Sequence, residues 1–172
     1  YGHGILPVAQ RALQSGADWL GVARIGEARL LRDAGIRSRI LIFGHTAPEN
    51  ALEMIEHDLT PTVFDQETAR GMSETANRQG QRLKVHIKID TGMGRLGILP
   101  DGCRPGFEPS APPIRAAAEI AAIGRLSGIE IEGIYTHFAS ADDPDKTFAR
   151  QQLAQFSAML DALHDAGIRI AL

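Results

Sequence analysis

Three ionisable residues in the stretch VHIKIDTGMGRLG, Val85 to Gly97, each pose a chemical problem: Lys88, Asp90 and Arg95. Leu83, Val85, Ile87 and Ile89 alternate with Lys84, His86, Lys88 and Asp90, which is the period of a strand with one apolar and one ionisable face. If the ionisable face turns toward a protein interior, an ammonium at Lys88 must be paired, lose its charge or be altered chemically, because an isolated buried charge is costly. Pairing with Asp90 and reaching out to solvent are the simplest outcomes. Arg95 follows Lys88 by seven residues, and its planar fork of donors suits a carboxylate or a phenolic oxygen. Gly92, Gly94 and Gly97 permit either close backbone approach to a ligand or an ordinary tight turn.

Further polar groups stand where predicted strands or helices meet loops. Tyr1-Gly2-His3-Gly4 precedes the first helix, Phe43-Gly44-His45 follows RILIFG, and Thr136-His137 follows IEGIY. His137 reads either as a core histidine or as a site group, whereas His57 and His164 fall in helical stretches and are expected at the surface. His3, His45 and His86 are ligand types, but none has HExxH or CxxC spacing, so no metal is expected. Cys103 is the single cysteine and has no base beside it, which predicts an inert thiol and no internal disulfide.

These residues need elements to position them, and helix and strand signals alternate along the chain. Helical spacing of Leu6, Ala9 and Leu13 ends at Gly16, before the short strand ADWLGVA. Helices are predicted over 27–34, around APENALEMIEHD with Pro48 near its start, over 66–79, over 114–126 and over 146–166. Strands are predicted at RILIFG, LTPTVFD, 83–90 and IEGIYTHF. Gly16, Gly35, Gly80, Gly128 and Gly167 follow the helices as left-handed caps would require. Pro100 to Pro113 is too rich in Pro and Gly for regular structure and reads as a long loop. Strands alternating with helices imply a parallel α/β sheet with right-handed crossovers. A doubly wound sheet would be complete at 172 residues, whereas a (β/α)8 TIM barrel needs about 250. The chain opens in mid-motif without methionine, and both ends are expected to be truncated. A partial TIM barrel of about five to six βα units is therefore expected, with its ligand at the C-terminal ends of the strands.

Composition narrows the function classes. A 44% hydrophobic, 23% charged chain has the makeup of a folded domain, and a net charge of -3 without a Lys/Arg cluster argues against nucleic acid as a partner. No apolar run approaches the roughly 18 residues of a membrane span and no signal peptide is evident, so no membrane partner and a cytoplasmic location are expected.

YGHG, KIDTGMGRLG and EGIYTHFASADDPDKTFARQQLAQF together resemble the N-terminal barrel of bacterial alanine racemase, in matching order and over nearly the whole chain. The resemblance implies an amino-acid racemase that uses pyridoxal 5'-phosphate, takes alanine as its small-molecule substrate and supplies D-alanine for peptidoglycan. It implies that residues 1–172 are an incomplete cofactor-binding barrel domain, that a C-terminal β-rich domain is missing, and that the full-length protein is a homodimer. By the same resemblance Tyr1 contacts the cofactor phosphate, and Arg95 approaches the cofactor's phenolic oxygen and the substrate carboxylate. Lys88 is implied to be a carbamylated lysine that orients Arg95, and His137 to bond an arginine that faces the pyridine nitrogen. The Schiff-base lysine falls four residues before Tyr1 and the opposing tyrosine base comes from a partner subunit. No catalytic base is then assigned within this chain, and the fragment is expected to be inactive alone. The stretch 101–113 is longer than the family leads one to expect and reads as a surface insertion. An alanine/serine racemase, a barrel amino-acid decarboxylase, a non-catalytic cofactor-binding protein and a non-catalytic half-barrel binding or assembly module are the alternatives, and DTGMGRLG speaks against the decarboxylase and the cofactor-binding protein.

Overall fold

The structure, a computed structural model, describes residues 2–103 and 111–170. Helix α1 (Ile5–Gln14) leads to strand β1 (Trp19–Val22), then α2 (Ile25–Asp33) and β2 (Arg39–His45). A 3-10 turn at Pro48–Asn50 opens α3 (Ala51–Glu56), followed by β3 (Thr60–Val63), α4 (Gln66–Arg78) and β4 (Leu83–Ile89). A second 3-10 turn, Asp101–Cys103, lies in the predicted long loop before α5 (Ile114–Gly124), β5 (Ile129–Thr136) and α6 (Thr147–Asp165).

Among the described residues the five strands form one parallel sheet in the order β1-β2-β3-β4-β5. That order decides between the two architectures the sequence left open. A doubly wound sheet reverses its strand order at a switch point, which sends helices to both faces. Here the order never reverses, so right-handed crossovers carry α2, α3, α4 and α5 to the same face, as in a (β/α) barrel. The five βα units seen are the partial TIM barrel that the sequence predicts.

The helix-facing side is apolar. Ile40, Ile42, Val63, Val85, Ile87, Ile89 and Ile129 pack with Leu31, Met54, Met72, Ile120, Ile123, Met159 and Leu163 from the helices. Burial of each such side chain contributes about 1.5–3 kcal/mol relative to exposure. Local signals set the ends of the elements. The Asp65 carboxylate accepts the Thr68 amide at 2.7 Å and caps α4, and Glu27 accepts the amides of Ala23 and Arg24 at the start of α2. Arg32 donates to the carbonyls of Ile36, Ser38, His57 and Asp58, which ties the ends of α2 and α3 together.

Two expectations need correction. Gly16, Gly35, Gly80 and Gly167 have φ of 95°, 81°, 64° and 75°, but Gly128 is not left-handed. It is glycine because a Cβ there would lie 2.3 Å from the Ser73 carbonyl oxygen, where α4 crosses the start of β5. His57 lies just past α3 rather than on it, half-buried, with its carbonyl accepting from Arg32. Pro61 sits inside β3, a strand with neighbours on both sides, and the β2–β3 register shifts between Ile42 and His45 beside it. Having no amide proton, Pro61 leaves one ladder a donor short at its position.

Candidate active site at the strand ends

The face of β4 away from the helices carries the ionisable residues in two levels. At the lower level Glu132 collects three cationic or titratable partners: Arg39 at 3.5 Å, Lys84 at 3.6 Å and His86 at 3.7 Å. The Arg39 guanidinium also lies over the Trp19 ring at 5.1 Å, and that ring sits 5.2 Å from His86. A register shift on β5 between the partners of Val85 and His86 passes over Glu132, the extra residue of the bulge.

At the upper level stand Phe43, Thr62, Lys88 and Tyr135. Lys88 is 3% exposed, and its Nζ lies 5.8 Å from the centre of the Tyr135 ring, its strand partner on β5. Among the described residues no ion pair or hydrogen bond reaches this ammonium. Burial first, and the nearby positive charge of Arg95 second, push the Lys88 pKa below its ordinary value, while Asp90 opposes them. Neither simple solution to a buried ammonium is fully adopted: Lys88 is only 3% exposed and forms no ion pair with Asp90.

Asp90 is committed elsewhere. Its Oδ1 accepts the amides of Gly92 and Gly94, and its Oδ2 accepts the amide of Arg95, all at 3.0 Å. The loop returns to the strand end through Ile98 N–H to the Lys88 carbonyl at 2.8 Å and Asp90 N–H to the Ile98 carbonyl at 3.0 Å. Gly97, at φ 140°, lies so close that a Cβ would fall 2.4 Å from the Asp90 nitrogen. One carboxylate thus fixes the backbone of Arg95, while the Arg95 side chain stays exposed at the rim.

Tyr135 has a defined hydrogen-bond direction. Thr62 donates its hydroxyl proton to the Ile42 carbonyl at 2.6 Å, so the Tyr135 hydroxyl is the donor in its 2.8 Å bond to Thr62. Burial raises the Tyr135 pKa and keeps the phenol protonated. His137, just past β5, is exposed, so it is not the core histidine that the sequence also allowed. Cys103 is half-buried, and burial together with Asp90 pushes its thiol pKa up, in keeping with an inert thiol.

The residues singled out in the sequence meet the strand ends unequally. Phe43-Gly44-His45, the Asp90 to Arg95 loop and Thr136-His137 lie at the C-terminal ends of β2, β4 and β5. Tyr1 lies outside the described residues. Gly2, His3 and Gly4 border an open trough of about 830 Å³ beside β1, shared with Leu20, Gly21 and Glu27, at the sheet edge opposite β5. Sequence reading passed over Gln152, which is fully buried on α6 and bonds both rim segments. Its signal was available: Gln152 falls on the same stripe of α6 as the buried Met159 and Leu163, where an apolar residue is expected.

Comparison with known proteins agrees with this architecture. The family described as "Alanine racemase, N-terminal domain" matches residues 1–172. The chain is 42% identical to an alanine racemase of Desulforamulus reducens and 44% identical to one of Methanococcus maripaludis, in each case over all of this chain and 43% of the relative. Among solved structures it is similar to the alanine racemase of Clostridium difficile 630, with a TM-score of 0.88 and 36% identity, covering 100% of this chain and 42% of that one. The chain therefore spans about two fifths of the length of these relatives, and over that span it belongs to the alanine racemase N-terminal domain family.

Proposed function

We propose that this chain is the incomplete N-terminal barrel domain of a pyridoxal-phosphate-dependent alanine racemase, a cytoplasmic homodimer at full length that supplies D-alanine for peptidoglycan. The observation that carries the proposal is the juxtaposition of Lys88 and Arg95 at the strand ends: a buried ammonium with no ion-pair partner among the described residues, within electrostatic reach of an exposed guanidinium on a fixed loop. This donor set fits the cofactor. Arg95 offers a fork for a phenolate or carboxylate, and the space beside Gly94 is open, with nothing within 4 Å of where a Cβ would stand. Tyr1 would reach the cofactor phosphate, and His137 would hold an arginine contributed from outside this chain. When bound, the cofactor draws electrons from the substrate α-carbon and makes its proton removable.

Arg95 binds the substrate carboxylate and holds the α-carbon in a fixed orientation, with the loop amides on Asp90 preventing drift of its backbone. Lys88 acts on Arg95. Carbamylation needs the neutral amine, and the depressed Lys88 pKa favours that form. The Nζ lone pair attacks the carbon of carbon dioxide, a π pair moves to oxygen and a proton leaves to water. The product is an anion beside Arg95 in place of a second cation.

The three lysines of the sequence do not supply the covalent attachment for the cofactor. Lys84 pairs with Glu132 at the lower level, Lys146 donates to the Ala141 carbonyl in an exposed loop, and Lys88 has the role above. Tyr135 keeps its proton on Thr62 and is a poor base. By the family resemblance, the two bases that exchange the α-proton on opposite faces come from outside these residues, and the 172-residue chain alone is then inactive. The test is to place this sequence in a protein of its relatives' full length and follow the optical rotation of L-alanine with added cofactor. Yellow colour and conversion to D-alanine support the reading. A folded, colourless, inactive protein contradicts it and favours a binding module.

A further inference from the structure

We propose that Gln152 of α6 is a positioning residue that locks the His137 segment to the Arg95 loop. The inference rests on the racemase reading for its functional consequence, but the geometry stands by itself. Gln152 is fully buried, and its carboxamide is used at both ends. Oε1 accepts the Ala139 amide at 2.9 Å, while Nε2 donates to the His137 carbonyl at 3.2 Å and to the Thr91 hydroxyl at 3.3 Å. The hydroxyls beyond it have a fixed direction. Thr136 donates to the Ile89 carbonyl at 2.9 Å, so Thr91 donates to Thr136 across 2.8 Å. The chain of donors therefore runs from Gln152 through Thr91 and Thr136 to the end of β4, each bond polarising the next.

Thr91 immediately precedes the loop that Asp90 organises, and His137 immediately follows Thr136. A single side chain thus grips both segments where they leave their strands. Phe148, also on α6, closes the same corner: a Cβ on Gly92 would lie 3.0 Å from its ring and 3.7 Å from Gln152 Cγ. With a hydrocarbon at 152 the pocket would stay filled, but Ala139, His137 and Thr91 would lose their partner. The two rim segments could then shift independently, and a displacement on the order of 1 Å costs roughly a hundredfold in a rate that depends on alignment.

Gln152→Met and Gln152→Glu separate positioning from packing. Methionine keeps the volume and removes every hydrogen bond, whereas glutamate keeps the acceptor for Ala139 and removes the donors. In the full-length protein, exchange of the Ala139 amide is expected to quicken roughly five- to tenfold in Gln152→Met and to stay slow in Gln152→Glu. In the full-length protein, both variants are expected to lower kcat roughly ten- to a hundredfold with cofactor affinity nearly unchanged. Unchanged Ala139 exchange in Gln152→Met would overturn the tether. Wild-type kinetics in both variants of an active protein would overturn the positioning role. A wild-type protein that binds no cofactor would overturn the racemase reading instead, with the exchange experiment still deciding the tether.

Discussion

The Asp90 carboxylate accepts the Arg95 amide at 3.0 Å while the Arg95 side chain remains exposed, so an anion and a cation five residues apart are joined through backbone rather than as an ion pair. The arrangement keeps the guanidinium free for a ligand. With the amides of Gly92 and Gly94 on its other oxygen, Asp90 leaves three donors unsatisfied if it is removed. Asp90→Ala is expected to destabilise the chain by about 2–4 kcal/mol in urea unfolding, and Asp90→Asn by less. In the full-length protein, Asp90→Asn should raise KM for alanine more than it lowers thermal stability. Equal urea midpoints for wild type and Asp90→Ala would refute this account of the loop.

Lys88 makes a pH-dependent contribution of known sign. Its folded pKa lies below the ordinary lysine value, so the unfolded chain binds more protons in the window between the two. In buffer free of carbon dioxide, stability should therefore rise as pH rises from the folded value toward about 10.4, the unfolded value, and level off at its lowest once pH is below the folded one. Lys88→Met should flatten that slope and be at least as stable near neutrality, because it replaces a buried, unpaired charge with a side chain of similar length. A steeper alkaline rise in Lys88→Met would contradict this. With labelled bicarbonate, a carbamate carbon signal is expected in the wild-type chain and not in Lys88→Met.

His86 gives an acid-side counterpart and a packing test. Burial lowers its pKa against the opposing pull of Glu132, and its Nε2 has no hydrogen bond. The folded state therefore resists protonation, and stability should fall as pH drops below about 6.5, the unfolded value, levelling off once the folded pKa is passed. His86→Phe should remove that loss. Across the strand pair, a Cβ on Gly133 would lie 2.6 Å from the His86 ring. Gly133→Ala is accordingly expected to cost about 1–3 kcal/mol, and His86→Ala in the same chain should relieve most of it. Additive effects of the two substitutions would show that the rings and backbone do not meet there.

Much of this was legible in the sequence, for physical reasons that differ by residue. The alternation from Leu83 to Asp90 fixes which side of β4 meets the helices, but the seclusion of Lys88 also needs the curved sheet to close over the other face, since Lys84 on that same face stays exposed. The apolar, branched strands and glycine-closed helices likewise define five βα units. What periodicity does not carry is pairing. Asp90 reads as the obvious partner for Lys88, yet it turns to three loop amides, because closing a glycine-rich loop onto a strand end creates donors that the nearest carboxylate satisfies. Gly128 looks like a helix cap from its position, whereas its cause is a crossing with Ser73 from a distant helix. Gln152 likewise gains its meaning only when α6 brings it against Thr91, which is 61 residues earlier in the chain.

The most direct test of the central claim is borohydride reduction of the full-length protein followed by peptide mapping of every lysine. The account predicts one reduced cofactor on a lysine outside residues 1–172, none on Lys84, Lys88 or Lys146, and alanine racemase activity before reduction. A cofactor adduct on Lys88, or a folded protein that carries no adduct and racemises nothing, would contradict it.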